Sequence, residues 1–249
     1  LNAMVLPGLI GVLGGMGPLA TVDFMQKLLA ATPATRDQEH VPALISAIPQ
    51  IPDRTQAFQG RGASPLPAML ACAKRLEAAG AGVIVIPCNT AHIWFEDLQT
   101  AMGIPMLHMV EAVMEEALAT CGARLRIGLL ATQATLASGL YGKHACAPDG
   151  RVVEWILPTG WDIRQCVSPG IAAVKAGRLD EGRDLLLRAA CALHQRGAAA
   201  VVLGCTEIPV VLNDQNAPLP TIDATAALAR RAVEWSRSAL HGSEAPGVV

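Results

Sequence analysis

Short runs of aliphatic and β-branched residues recur along this chain, separated by longer stretches in which apolar positions are spaced at helical intervals. Runs at residues 9–13, 41–48, 83–86, 126–131, 152–157, 200–203 and 220–223 are too short for a helix core and predict buried strands. Another short strand starts at Gly103-Ile104-Pro105 and ends at His108. Between them the pattern predicts helices: one after Pro18 with Leu19, Val22, Phe24, Leu28 and Leu29 as its apolar face, then 67–79, a helix from His92 to about 102, one after Thr135, 185–195 and 224–240. Strands apolar on both faces, alternating with helices, predict an α/β protein with parallel sheets.

The pattern then starts again. Gly11 and Gly128 lie in matching strands 117 residues apart, Gly80 and Gly197 end matching helices at the same offset, and Cys88 and Cys205 close matching strands, again 117 apart. Pro105 and Pro220 match at 115, so two residues separate the registers there; the stretch from Val41 to Arg54 aligns with the second half only through further gaps. The expectation is a duplicated unit: two similar α/β domains, each a short parallel sheet flanked by helices, related by a pseudo-twofold axis with a cleft between them. The expected limits are 4–108 plus 225–242 for the first domain and 109–224 for the second.

Composition sharpens this without redirecting it. In 249 residues, 52% hydrophobic and 16% charged, there is enough apolar material for large cores and none of the signature of disorder. A formal charge of −2 with no basic run makes nucleic acid an unsuitable partner. No stretch has the length and apolarity of a membrane span, and the start does not read as a signal peptide. Leu1-Asn2-Ala3 ahead of Met4 reads as a cloning remnant. Seven cysteines with no C-x-x-C pair argue against a disulfide framework or a zinc ribbon, so the expected compartment is the cytoplasm.

Chemistry concentrates where strands give way to helices. In GVIVIPCNTAH, Pro87 stops the strand, and Asn89 and Thr90 are good helix caps, so Cys88 is expected at a strand-to-helix turn. Free N–H groups at such a turn favour thiolate over thiol; a buried cysteine that fills a turn is the alternative. Two sheets facing each other across a pseudo-twofold axis would put Cys88 and Cys205 on opposite walls of one cleft. Two thiols flanking a small substrate are what proton exchange at a stereocentre needs: one removes a proton from one face and the other returns a proton to the opposite face. The glycine-rich turn Gly14-Gly15-Met16-Gly17-Pro18 lacks the lysine and hydroxyl of a phosphate loop, and a carboxylate fits it better than a nucleotide.

The motifs GVLGGMGPLAT, PQIPDRT, PCNTAH, LLATQAT and GCTEIP together resemble the cofactor-independent aspartate/glutamate racemase family, its aspartate racemase branch in particular, from Leu9 to about Val233. Glutamate racemases typically follow the second cysteine with Thr-His, where this chain has Thr206-Glu207; decarboxylases of the superfamily usually keep one of the two cysteines. The resemblance implies a racemase without pyridoxal or metal, with Cys88 and Cys205 as its two bases. It also implies that Asn89, Thr90, Thr132 and Thr206 bind the substrate α-carboxylate and ammonium, that Met16 and Gln50 line the cleft, and that Arg54 and Lys175 hold a side-chain carboxylate. A homodimer acting on an acidic amino acid is the implied assembly. Related proton-transfer or cleaving enzymes (hydantoin racemase, maleate isomerase or malonate decarboxylase types) and a non-catalytic amino-acid-binding protein remain the alternatives.

Other candidates divide between chemistry and structure. Arg54 beside Asp53 is either a surface ion pair or a substrate contact. Glu207 is either a general base or an acid at a helix N-terminus, and the latter suffices. His92, one turn beyond Cys88, is expected to support the thiol, since Pro209 stands at its equivalent and a metal lacks further ligands. His108 and Asp223 occupy matching strand ends near the expected cleft. Cys72 and Cys191 read as core; Cys121, Cys146 and Cys166 have no assigned place.

Overall fold

The computed structural model describes residues 6–121, 125–144 and 150–242. Cys146, the leading tripeptide and the tail beyond Gly242 lie outside the described residues. Within them the chain forms two four-stranded parallel sheets. The first contains β1 (Ile10–Gly14), β2 (Ala43–Ala47), β3 (Val83–Val85) and β4 (Met106–Leu107) in the order β2-β1-β3-β4. The second contains β5 (Arg126–Ala131), β6 (Glu154–Ile156), β7 (Ala200–Gly204) and β8 (Thr221–Asp223) in the order β6-β5-β7-β8. The duplication holds down to the register: Gly11 pairs with Ile84, and Gly128 pairs with Val201.

The helices are α1 (Pro18–Ala31), α2 (Arg54–Phe58), α3 (Leu66–Ala78), α4 (Phe95–Ala101), α5 (Met109–Cys121), α6 (Gln133–Ala137), α7 (Gly160–Asp162), α8 (Ser168–Lys175), α9 (Leu179–Gln195) and α10 (Ala224–Gly242). A π-turn, Ile163–Val167, joins α7 to α8, and a capping box between Thr159 and Asp162 starts that run. None of the helices is long and apolar enough to cross a membrane, among the described residues.

Fully buried aliphatics line the strands, as parallel sheets covered on both faces require: Ile10, Val12, Val83 and Val85 in one sheet, Ile127, Leu129 and Val202 in the other. These belong to one continuous core with Met109, Val113, Leu228 and Val233 from α5 and α10. Two smaller clusters lie on the outer faces of the sheets, one under α3 and one under α8 and α9. After β8 the chain runs back through α10, which packs on both α1 and α5, and Ser236 Oγ ties it to the Gly8 carbonyl at 2.7 Å.

Two local expectations need correction. In α1 only Phe24 and Leu28 of the expected apolar face are buried, with Ala20 and Thr21; Leu19, Val22 and Leu29 are exposed. The buried stripe, Ala20, Thr21, Phe24 and Leu28, mixes small and large side chains, and α1 packs on α10. The segment after Cys88 is not an α-helix at first: Thr90–Trp94 is a 3₁₀ turn, and only Phe95–Ala101 is α-helical. Neither Asn89 nor its neighbours make a side-chain cap there, because the Asn89 carboxamide is committed elsewhere.

Candidate active site

β3 and β7 run in parallel registers to the same edge of their sheets, and each hands the chain to a cysteine. Beyond β3, Ile86-Pro87 leads to Cys88; beyond β7, Gly204 leads directly to Cys205. Both thiols are buried, and both line one cavity of about 20 Å³ together with Met16, Arg54, Asn89, Thr90, Thr132, Lys175, Thr206 and Glu207. That is room for a single water, so the side chains are drawn in around the sulfurs. Wider clefts of about 450 Å³ and about 350 Å³ adjoin it; both share Asp53 and Lys175 with it, and the larger also shares Arg54 and Glu207. Of the cysteines and substrate residues that the resemblance implies, Gln50 stands apart: it is exposed in the turn after β2 and does not line the cavity. Asp53 and Thr55 line it and were not foreseen.

The first half contributes hydroxyl and amide groups. Thr90 Oγ1 lies 2.9 Å from Thr132 Oγ1 and 3.0 Å from Thr135 Oγ1, so three hydroxyls meet where the two halves abut. Thr132 also caps α6, accepting from the Thr135 N–H. Asn89 is held by Tyr141, whose hydroxyl donates to Asn89 Oδ1 at 2.6 Å. That separation suits an O–H···O bond and fixes the carboxamide orientation. The Asn89 Nδ2 group is left buried without a partner among the described residues, an arrangement that favours an incoming acceptor such as a carboxylate oxygen. Tyr141 carries no catalytic spacing in the sequence, and only its burial against Trp155 and Asn89 reveals its position.

The cationic wall comes from both halves. Arg54 is buried at the start of α2, with Nη1 donating to the Ile51 and Pro52 carbonyls at 3.2 and 3.1 Å. It makes no ion pair with Asp53, whose carboxylate instead caps α2 by accepting from the Gln56 N–H at 2.7 Å. A buried guanidinium held, among the described residues, only by carbonyl dipoles attracts an anion. Lys175, at the end of α8, has Nζ 4.0 Å from Glu207 Oε1. Burial works against the Lys175 ammonium, but Glu207 and the sulfurs of Cys205 and Cys88 outweigh it and hold the group above its ordinary value.

Glu207 is not an acid serving a helix N-terminus. It precedes the 3₁₀ turn Ile208–Val210 without capping it, and its Oε2 accepts from Cys205 Sγ at 3.0 Å. Burial first, then the Glu207 charge, push the Cys205 thiol well above its ordinary value, with Lys175 opposing. Cys205 is therefore a thiol at neutral pH.

His92 stands behind Cys88. Its Nε2 accepts from the Met109 N–H at 3.1 Å, which leaves Nδ1 to carry the proton and donate to the Cys88 carbonyl at 2.9 Å. Burial lowers it to about 4, so the ring is neutral. His108 packs against His92, Phe95 and His144 and does not reach the cavity. Asp223 also lies away from it, pairing with Lys27 at 2.6 Å and capping the first turn of α10. The glycine-rich turn offers fewer donors than expected, since the Gly15 N–H is taken by Thr21 Oγ1 at 2.8 Å and Pro18 has none. Cys72 is core and Cys166 is buried under α9, while Cys121 and Cys191 are only half-buried. Among the described residues, no group of three or more His, Cys, Asp or Glu is placed to hold a metal ion.

The family described as Asp/Glu/hydantoin racemase matches residues 13–232. The Bacillus subtilis (strain 168) protein named broad specificity amino-acid racemase RacX is 30% identical over 232 residues, spanning 90% of this chain and 96% of its own length. The solved structure of Picrophilus torridus aspartate racemase superposes with a TM-score of 0.81 at 32% identity, covering 92% of this chain and 94% of that one. Glutamate racemase from Francisella tularensis subsp. tularensis SCHU S4, solved with D-glutamate, shares the fold at a TM-score of 0.66 and 18% identity, over 96% of this chain and 83% of that one.

Proposed function

This chain belongs to the Asp/Glu/hydantoin racemase family, and we propose that it interconverts the L and D forms of an acidic amino acid, aspartate or glutamate, with two cysteines and no cofactor. The observation that carries this reading is that Cys88 and Cys205, at equivalent ends of β3 and β7, line one small cavity with Arg54 and Lys175. In one direction the Cys88 thiolate takes the α-proton, breaking C–H and forming S–H. The Cys205 thiol then gives its proton to the opposite face of the α-carbon, and the configuration is inverted. In the other direction the thiols exchange roles.

The α-proton is weakly acidic, so the carboxylate must be polarised as negative charge develops. The Asn89 Nδ2 group and the hydroxyls of Thr90 and Thr132 are suited to the α-carboxylate, and Thr206 to the ammonium. Arg54 and Lys175 supply positive charge for a second carboxylate, which would select acidic substrates. We extend the proposal to a cytoplasmic homodimer.

The test is proton NMR in D2O with L-aspartate and L-glutamate. Loss of the α-proton signal with appearance of D product supports the reading. Cys88→Ala and Cys205→Ala should each abolish racemisation while circular dichroism stays native. Normal racemisation by either variant, or turnover of maleate or a malonate with no amino-acid exchange, overturns it.

A further inference from the structure

Behind the Cys88 wall lies a second cavity, which the two-thiol chemistry does not use. Its volume is about 250 Å³, against the roughly 30 Å³ that one water occupies in the liquid. It shares no lining residue with the cavity around the sulfurs. Both halves build it: Phe58, Phe95, Glu96 and His108 come from the first, Leu140 and Lys143 from the second.

Its polar groups are unpaired. His108 is only 7% exposed, and its Nδ1 accepts from the Val110 N–H at 3.2 Å, so the ring proton is on Nε2. That N–H has no acceptor among the described residues, and a buried donor left in this way favours an incoming oxygen. Lys143 and Glu96, of opposite charge, are both exposed and make no ion pair among the described residues. The remaining wall is apolar: the Phe95 and His108 rings meet edge to face at 4.5 Å, and Phe58 leaves 37% of its surface open. Three imidazoles gather here, but His92 has both nitrogens engaged, with the Cys88 carbonyl and the Met109 N–H, so the cluster is not a metal site.

An N–H and a cation suit a carboxylate, a carboxylate suits an ammonium, and an aromatic wall suits a ring. We propose that this cavity binds a free aromatic α-amino acid of phenylalanine size, and that its occupation restrains the site around the sulfurs. His108 and Lys143 take the carboxylate, Glu96 takes the ammonium, and the ring lies against Phe58 and Phe95. A plain aromatic acid would meet the Glu96 charge without an ammonium to offset it. An aromatic amine would leave the His108 N–H and Lys143 without an acceptor.

Two physical links carry the restraint. Helix α2 begins with Arg54, which lines the sulfur cavity, and ends with Phe58, which lines the second one. Gln59, just beyond it, donates to Gln133 Oε1 of the other half at 3.1 Å. His92 also lines the second cavity and holds the Cys88 carbonyl at 2.9 Å. The sulfur cavity, about 20 Å³, is too small for an amino acid, so its walls must move to admit one. A ligand that touches both halves and α2 favours the arrangement in which those contacts exist, and so opposes that movement. The restraint rests on the racemase reading; the binding does not.

Calorimetric titration of the whole chain with L-phenylalanine should show saturable one-to-one binding. 3-Phenylpropanoate, which lacks the ammonium, and 2-phenylethylamine, which lacks the carboxylate, should each bind at least roughly fivefold more weakly. L-Phenylalanine should lose a similar factor in Lys143→Ala and in Glu96→Gln, whose circular dichroism and unliganded racemisation should match the parent, since both positions are exposed and outside the sulfur cavity. At saturation it should lower kcat/KM for L-aspartate roughly fivefold in the parent and leave both variants unaffected at the same concentration.

No binding, or binding that both variants retain in full, overturns the proposal; in the second case phenylalanine has entered the sulfur cavity instead. Equal binding of 3-phenylpropanoate overturns the assignment to an amino acid. An unchanged kcat/KM with the ligand bound overturns the restraint. If the parent racemises no amino acid, the functional reading fails, while the titrations still decide whether the second cavity is a binding site.

Discussion

Tyr141 and His92 show how groups outside the cavity prepare the groups inside it. The Tyr141 hydroxyl fixes one end of the Asn89 carboxamide and so aims the other. In Tyr141→Phe the amide is free to rotate, and Oδ1 loses its buried donor. The expected result is a loss of about 1–2 kcal/mol of stability in denaturant titration. It should come with a rise in KM of roughly threefold to tenfold and a smaller change in kcat. An unchanged KM would remove Asn89 from substrate recognition. His92 predicts a pH effect of definite sign. Its native value of about 4 lies below the unfolded 6.5 because burial disfavours the imidazolium. The unfolded chain therefore binds the extra proton first: stability is full above pH 6.5 and falls as pH drops toward 4, by about 3 kcal/mol from this residue. His108, held at about 2 by burial and by His92, carries the loss further into acid. Urea midpoints measured between pH 4 and 7 should fall steadily; a flat profile would contradict the buried neutral rings.

Among the elements, the turns carry more of the site than the helices do. The turn between β1 and α1 is built on Gly15, at φ +89°, where a Cβ would lie 2.3 Å from the Ile48 backbone nitrogen. Gly60, at φ +70°, has nothing within 4 Å of the same position. Gly60→Ala should cost only the left-handed backbone penalty, about 1 kcal/mol. Gly15→Ala adds a backbone clash and should cost roughly 3 kcal/mol or more, with loss of activity because Met16 lines the cavity. Similar thermal shifts for the two variants would argue against this close approach. The 3₁₀ turn after Cys88 has a related cause. The Cys88 carbonyl is engaged by the ring of His92, and the Asn89 side chain by Tyr141, so the usual α-helical capping is not available.

At the scale of the molecule, duplication and cooperation coexist. Each sheet has the same strand order and comparable register, as expected of two copies of one unit. Yet the main core takes Ile10, Val12 and Val85 from one sheet, Ile127, Leu129 and Val202 from the other, and joins them through α5 and α10. Neither half can expose its share without opening the other's. Urea unfolding should therefore be a single transition, with tryptophan fluorescence and far-UV circular dichroism coinciding. Two separated transitions would show that the halves are stable independently.

Periodicity and repetition in the sequence alone were enough to determine the parallel α/β class, the strand positions to within two residues except at β4, expected from Gly103 and found from Met106, and the equivalent placing of Cys88 and Cys205. The reason is physical: buried parallel strands need continuous apolar runs, and a duplicated register survives in glycines and cysteines that tolerate little change. What the sequence could not contain was the partner of each group. Leu19, Val22 and Leu29 look like a core face and are exposed, because burial in α1 is decided by where α10 lies. Asp223 looks like a cleft residue and caps a helix, because Lys27 is within reach. Tyr141 gained its role only when the fold brought it to Asn89, 52 residues away in the sequence. Sequence spacing set where the two sulfurs sit on their strands; tertiary packing set how deeply Cys205 is buried, and that burial first, then the Glu207 charge, raises its thiol well above its ordinary value.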